Sequence, residues 1–550
     1  MNRKWIIPGL LLTAAGTLAL QGCNTSATAA VTDMLARNKA DTTYYMNRGQ
    51  TRLSAEEARQ AIQSGQARNI ILFVGDGMGI STVTAARIFD GQAQNKDGES
   101  NSLYMESLPY LALSKTYSTN QQTADSAPTM TAMVTGVKTK EGFLSVAGDI
   151  RKNDMNGCAE SNRLATIGEM AEAQGMSTGV VSTARLTHAT PAAVYAHIPN
   201  RDGESDKDLN DLVAKGALGA GCSDIASQLV NFPYGNGLEV ALGGGRRAFL
   251  PNTVTDAEGS KGRRTDGRDL TAEWLAKFPG DGAVVQSKDG LDKVNTGTTN
   301  HLLGLFNASH MDYETDRLND ATAKGEPSLA DMTRKAIEIL SRNSKGYFLM
   351  VEGGRIDHAH HAGNAYRALR DVQALDAAVK VADDMTSDSD TLIIVTADHS
   401  HTLTIGGYPY RNNPLLGLTR EADGNTGDVA TTDAVDLFGK PYTTLMYANG
   451  LGYGQNVPAE TNAKASGTGI TDTTPGSLRN PRADLSGVNT QDKNYHQEAL
   501  VALESETHAG EDVLILAKGP GAHLFRGIVE QSYIFHVMTR ASSLLSSMAK

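Results

Sequence analysis

Six of the chain's 13 histidines fall in three short segments that also carry acids. Glu352-Gly-Gly-Arg-Ile-Asp357-His-Ala-His-His361 sets Asp357 and His361 four residues apart, on one face of a helical turn. Asp398-His399-Ser-His401 supplies a further carboxylate and two imidazoles, and Glu506-Thr-His508 one more imidazole. Asp76 stands in Gly75-Asp76-Gly77-Met78-Gly79 at the end of an apolar run. A carboxylate and an imidazole at i, i+4 can share one zinc ion. Nitrogen and oxygen donors without thiolates suit zinc, and an all-oxygen set suits magnesium. The candidate nucleophile is Ser126 in Thr123-Ala-Asp125-Ser126-Ala-Pro128, where Pro just inside a helical stretch marks a helix N-terminus that favours an anion. A serine hydroxyl there needs a base or a metal to activate it. Local sequence alone reads it as an N-cap.

These residues need strands to carry them. Asn69–Val74, Thr178–Ser182, Leu238–Leu242, Gly346–Val351, Thr391–Thr396 and Asp512–Ala517 are short apolar runs, and three of them end at Asp76, Glu352 and Asp398-His399. Uninterrupted apolar strands predict a sheet covered on both faces. Helical stretches fall between them at Thr129–Thr135, Leu164–Gln174, Ser328–Ser341, Tyr366–Met385 and Val529–Leu545. The alternation predicts an α/β fold, a three-layer sandwich around a large, mostly parallel sheet, whose ligands bind beyond the carboxyl ends of the strands. Ser54 and Glu57 form a capping box for a helix over 54–64. Residues 417–497 are dense in Thr, Asn, Gly and Asp and read as a crown-like surface insertion, leaving 54–416 and 498–550 as the core.

With 550 residues and 40% hydrophobic composition the chain can bury a large core, which excludes disorder throughout. Its charge of −12 argues against a general or sequence-specific nucleic-acid binder. Residues 1–22 read as a signal peptide: Arg3 and Lys4 precede an apolar run. The run ends in Leu20-Gln21-Gly22-Cys23, which resembles a bacterial lipoprotein cleavage box with Cys23 lipidated. Residues 23–53 then form a tether. No other stretch approaches ~18 consecutive apolar residues, so the membrane would be reached only through the lipid. The chain has three cysteines. If Cys23 carries lipid, Cys158 and Cys222 remain to pair in an oxidising compartment, closing a loop worth about 4 kcal/mol.

Five motifs in order over residues 54–545 resemble the alkaline phosphatase family, closest to its animal-type branch. They are Val74-Gly-Asp76-Gly-Met-Gly, Asp125-Ser126-Ala, Val351-Glu352 through His361, Thr396-Ala-Asp398-His399-Ser-His401, and Glu506-Thr-His508-Ala-Gly-Glu-Asp. Asn200-Arg201-Asp202 and Gly406-Gly407-Tyr408-Pro409 carry the animal-type wording. The resemblance implies a phosphate-monoester hydrolase with Ser126 transiently phosphorylated and Arg201 clamping phosphate oxygens. Two zinc ions and one magnesium are implied. Asp357, His361 and His508 would hold one zinc; Asp76, Asp398 and His399 the other. Asp76 would bridge to magnesium, completed by Thr190 and Glu352, with His188 alongside and His401 behind the zinc ligands. The branch also implies the Cys158–Cys222 bridge and a homodimer. Its calcium site is not expected here, because Asn307 stands where a glutamate is required. Such an enzyme would work outside the cytoplasm, in the periplasm or at the outer membrane.

Two other readings compete. A sulfatase would need an arginine after the small-residue step, which Asp125-Ser126-Ala-Pro128-Thr129-Met130 lacks, and diesterases usually work without a third metal. A surface lipoprotein that only binds has no evident use for the full ligand set.

Overall fold

The structure, a computed structural model, describes residues 65–319, 325–453, 482–542 and 544. The expected signal segment, tether and 54–64 helix, and residues 454–481, lie outside those residues. Eight strands come first in the chain: Asn69–Gly75 (β1), Tyr110–Lys115 (β2), Ser177–Arg185 (β3), Val240–Gly244 (β4), Gly282–Val285 (β5), His301–Leu305 (β6), Tyr347–Gly353 (β7) and Thr391–Ala397 (β8). Seven follow: Ser400–His401 (β9), Leu403–Ile405 (β10), Leu445–Gly450 (β11), Glu498–Ala502 (β12), His508–Ala509 (β13), Val513–Lys518 (β14) and Ile528–Glu530 (β15). Ten of them form one sheet in the order β15-β2-β14-β8-β1-β7-β3-β4-β6-β5. Only β14 runs against the others, antiparallel to both β8 and β2. All the parallel strands therefore end on one rim.

The three central strands are buried at every position. Their side chains alternate between two cores, as the pleat requires. Ile70, Leu72 and Val74 of β1 join one core, and Ile71 and Phe73 the other. Helices Ser126–Thr135 (at Met130 and Met133) and Tyr533–Ser542 (at Phe535 and Met538) cover the first face. Helices Ile80–Ala93, Leu329–Leu340 and Ala365–Met385 cover the second, the last through Leu369, Val372, Leu375 and Val379. Each such side chain contributes about 1.5–3 kcal/mol on burial. This is the expected three-layer sandwich.

Three local readings change. Val529–Leu545 is not one helix: Ile528–Glu530 joins the sheet edge beside β2, and the helix starts at Tyr533. Ser126 is the first helical residue, not the cap; Asp125 caps the helix. β2, β5, β6 and β15 were not foreseen. Within 417–453, β11 pairs with β10 on one side and β12 on the other to make a separate three-stranded sheet. Cys158 and Cys222 form a disulfide with their Cα atoms 5.3 Å apart, closing 64 positions of chain. No helix among the described residues is long and apolar enough to cross a membrane. Asn307 donates its amide N–H to Glu326 Oε1 at 2.8 Å.

Candidate active site

Helix Arg355–His361, which follows β7 directly, carries Asp357 and His361 on one face. The two-residue pairing of β13 with β9 places His508 opposite His401. His361 sets Nδ1 2.6 Å from the carbonyl oxygen of Glu506, and His508 sets Nδ1 2.9 Å from that of Ala124. A carbonyl only accepts, so both Nδ1 atoms hold the proton and both Nε2 atoms turn a lone pair inward. Those Nε2 atoms lie 3.1 Å apart and each 3.3 Å from Asp357 Oδ1. Three lone pairs at that separation repel unless a cation sits among them, and imidazoles anchored through the second nitrogen are how proteins present ligands to zinc.

Asp76, Asp398 and His399 bring ligand atoms within 4.8 Å of one another. Asp398 Oδ1 accepts the N–H groups of Gly77 and His399, both at 3.0 Å. Its Oδ2, both carboxylate oxygens of Asp76 and Nδ1 of His399 are buried without a hydrogen-bond partner. Gly77 is at φ +67°, and a Cβ there would come within 2.3 Å of the His401 ring, so glycine is required for the turn. On the other side of Asp76, Glu352 accepts from the Ser182 hydroxyl through Oε2. Glu352 Oε1, Thr190 Oγ1 and His188 Nδ1 are buried and unpartnered, with Asp76, His188 and Glu352 again within 4.8 Å.

The electrostatics match this deficit of positive charge. Burial first, then the neighbouring Asp398, Asp357 and Glu352 carboxylates, raises Asp76 well above its usual range. Burial also raises Asp398, and pushes Glu352 up to about 7 against the Ser182 hydroxyl. Asp357 is held low despite burial by His361, His401 and His508. His401 sits between Asp357, 2.8 Å from its Nε2, and Glu506 at its Nδ1. Burial opposes its charge, but the two carboxylates raise it to about 10. One imidazolium cannot neutralise five buried carboxylates, and uncompensated charge at such depth costs several kcal/mol per ion. The donor set fits bound cations.

Ser126 is 2% exposed, and its hydroxyl lies 3.2 Å from His399 Nε2. Asp125 takes the cap by accepting from the Ala127 N–H at 3.3 Å, which leaves the serine hydroxyl free of that task. The same Asp125 carboxylate holds Arg201 at 2.9 Å, and the other arm of Arg201 donates to His188 Nε2 at 3.0 Å. Burial weakens that guanidinium's charge, yet Asp125 outweighs it and keeps Arg201 above its usual range. The nucleophile candidate, the arginine and all three ligand groups therefore share one stretch of the rim. Arg201 was not distinguishable as a loop residue; its place becomes visible only through Asp125.

The alkaline phosphatase family profile matches residues 67–544. The chain belongs to the alkaline phosphatase family. The chicken (Gallus gallus) tissue-nonspecific isozyme of alkaline phosphatase is 40% identical over 536 residues, 96% of this chain and 93% of that protein. Alkaline phosphatase of Atlantic cod (Gadus morhua) is 41% identical over 492 residues, covering 88% and 94%. The crystal structure of Thermus thermophilus alkaline phosphatase superposes with a TM-score of 0.59 at 25% identity, covering 88% of this chain and 93% of that one. A variant of TAB5 alkaline phosphatase with magnesium bound in its M3 site shares the fold, at TM-score 0.55 and 20% identity over 88% and 99% of the two chains. This alkaline phosphatase is therefore a metal-dependent phosphate-monoester hydrolase.

Sequence reasoning missed four supporting groups. Asp125 stands beside the candidate nucleophile, and an acid preceding a helix is a cap signal. Glu506 binds His401 and accepts both the N–H and the hydroxyl of Thr402. Ser182 binds Glu352, and Gln531 donates to the Asp398 carbonyl at 2.7 Å. Nothing local marks the last two.

Proposed function

We propose that the enzyme hydrolyses phosphate monoesters through a phosphoserine at Ser126, with two zinc ions and one magnesium. Asp357, His361 and His508 would hold one zinc, and Asp76, Asp398 and His399 the second. Asp76, Thr190 and Glu352 would hold magnesium, with His188 beside it. When bound, these ions supply Lewis acidity that lowers the pKa of hydroxyl groups and neutralises charge in an in-line displacement. The protein's own groups do the rest. Arg201 binds two non-bridging phosphate oxygens with its planar fork, kept in line by Asp125 and His188. The N-terminus of helix Ser126–Thr135 adds the positive end of its dipole toward the same anion. Ser126 Oγ bonds to phosphorus as the ester bond to the leaving alcohol breaks on the opposite face. Water then attacks the phosphoserine, restoring Ser126 and releasing phosphate.

The observation that carries this reading is the unpartnered Asp76 and Asp398 oxygens converging with His399 Nε2, 3.4 and 3.3 Å away, beside a Ser126 hydroxyl relieved of capping. Trapping with ³²P-labelled substrate tests it. The wild-type protein should label and Ser126→Ala should not; equal labelling of the variant would refute the role. Turnover of nitrophenyl phosphate over bis-nitrophenyl phosphate and nitrophenyl sulfate separates monoesterase from diesterase and sulfatase. We further propose export with removal of residues 1–22, lipid anchoring at Cys23 in the periplasm or outer membrane, a 417–497 insertion over the core, and a homodimer. Cys23→Ser should move the protein from the membrane fraction to the soluble fraction.

A further inference from the structure

We propose that the cleft continues past Arg201 into a second anion subsite at the carboxyl ends of β3, β4 and β6, which receives a second phosphate or carboxylate group of the substrate. The proposal rests on the reading of Ser126 as the phosphoryl-accepting group.

The catalytic candidates occupy the ends of β8, β1 and β7. The next strand ends along the same rim carry basic residues instead. Arg185 closes β3, where the register with β4 slips between Val181 and Arg185 and re-aims the strand end. Arg247 sits in the single turn after β4, and His310 in the loop after β6. Arg355 and His358 reach the same place from helix Arg355–His361.

These groups are continuous with the site. Arg201 touches His188; the His188 ring centroid is 5.2 Å from that of His310, which is 4.0 Å from that of His358. Arg185 contacts His310 Nε2 through its guanidinium, and Arg185, Arg355 and Arg247 are all charge neighbours of that imidazole. Every one of these basic residues is partly exposed, so the cluster is open to solute. Acidic charge reaches it from Glu204 and Asp208 near Arg247 and from Asp371 near Arg355. Arg185 pairs with Glu204 at 2.6 Å, but Arg247 and Arg355 form no ion pair among the described residues. Arg355 Nε is buried with no hydrogen bond, and its guanidinium carbon lies over Tyr313, 3.7 Å from the ring centroid. A partly desolvated guanidinium without a partner binds phosphate or carboxylate in forked geometry.

The three imidazoles suit a metal ion poorly. A guanidinium only donates, so Arg201 occupies the Nε2 lone pair of His188; the Nδ1 lone pair of His310 accepts the Arg185 N–H at 3.3 Å, and the Arg185 guanidinium stands against its Nε2. Three nearby arginines further disfavour a cation.

The test compares alkane-α,ω-diol bisphosphates of increasing length with the matching alkyl monophosphates, on the metal-loaded enzyme. We expect one chain length at which the bisphosphate is favoured by about tenfold in kcat/KM, mainly through KM and beyond the statistical factor of two ends. Arg247→Ala and His310→Ala should abolish that preference while nitrophenyl phosphate turnover stays within about twofold. Arg247→Lys should keep part of it. No favoured length, or a preference that survives both alanine variants, overturns the proposal. So does a further zinc equivalent that His310→Ala loses, or a second-site inhibition by inorganic phosphate that Arg247→Ala removes while bisphosphates gain nothing. Failure of nitrophenyl phosphate itself to turn over would instead defeat the reading of Ser126.

Discussion

Replacing Glu172 with glutamine should flatten the protein's loss of stability at alkaline pH. Glu172 and Glu239 lie against the start of β3. The Thr178 hydroxyl donates to Glu172 Oε1 and the Thr178 N–H to Glu239 Oε2, both at 2.7 Å. Glu172 Oε2 is buried with no partner. Burial, then the charge of Glu239, pushes Glu172 from 4.5 up to about 9, and burial raises Glu239 as well. The folded chain therefore holds a proton that the unfolded chain gives up above pH 4.5. The associated stability is complete below that pH and is lost as pH rises through about 9. At 1.36 kcal/mol per unit the ceiling is about 6 kcal/mol. Because the two carboxyls share the proton, we expect about 2–3 kcal/mol between pH 6 and 10. Glutamine keeps the shape and the Thr178 hydrogen bond without a titrating proton. Urea unfolding of both proteins at pH 6, 7.5, 9 and 10 reads the difference. The wild type should lose about 2–3 kcal/mol more than Glu172→Gln across that range, with the variant the more stable at pH 10. Parallel curves, or a wild type that gains stability with pH, would refute the reasoning.

Three further outcomes follow from the geometry. Replacing both Cys158 and Cys222 by alanine should remove about 4 kcal/mol, read as a lower unfolding midpoint under non-reducing conditions. Asp125→Ala should cost about 1 kcal/mol through the lost cap and, by freeing Arg201, raise the inhibition constant for inorganic phosphate about tenfold. Gly77→Ala forces a Cβ against His401 at positive φ, so purified protein should retain less zinc by mass spectrometry while Gly267→Ala, at positive φ with open space around it, retains all of it.

What could be read ahead of the structure follows burial. β1, β7 and β8 are apolar at nearly every position because both faces are covered, and that pattern needs no tertiary information. β2 and β5 expose part of their side chains, and β6 opens on His301 and is broken by Gly304, leaving only two consecutive apolar side chains, so none stands out from loop sequence. Ile528–Glu530 looked like the opening of a helix because only its pairing with β2 makes it a strand. Asp76, Glu352, Asp398 and His399 were legible because a ligand-type residue at the end of an apolar strand is chemically conspicuous. Arg201 and Ser182 were not. Each acts on a partner far away in sequence, Asp125 and Glu352 respectively, and a side chain's neighbour across the fold leaves no mark on its own surroundings.

Diffraction from crystals of the metal-loaded protein on either side of the zinc absorption edge tests the central claim most directly. Two zinc peaks should appear, one among Asp357, His361 and His508 and the other among Asp76, Asp398 and His399 beside Ser126. A third centre without zinc signal should lie near Glu352 and Thr190. Absence of zinc signal between those side chains, or a peak coordinated by a different set, would contradict the account.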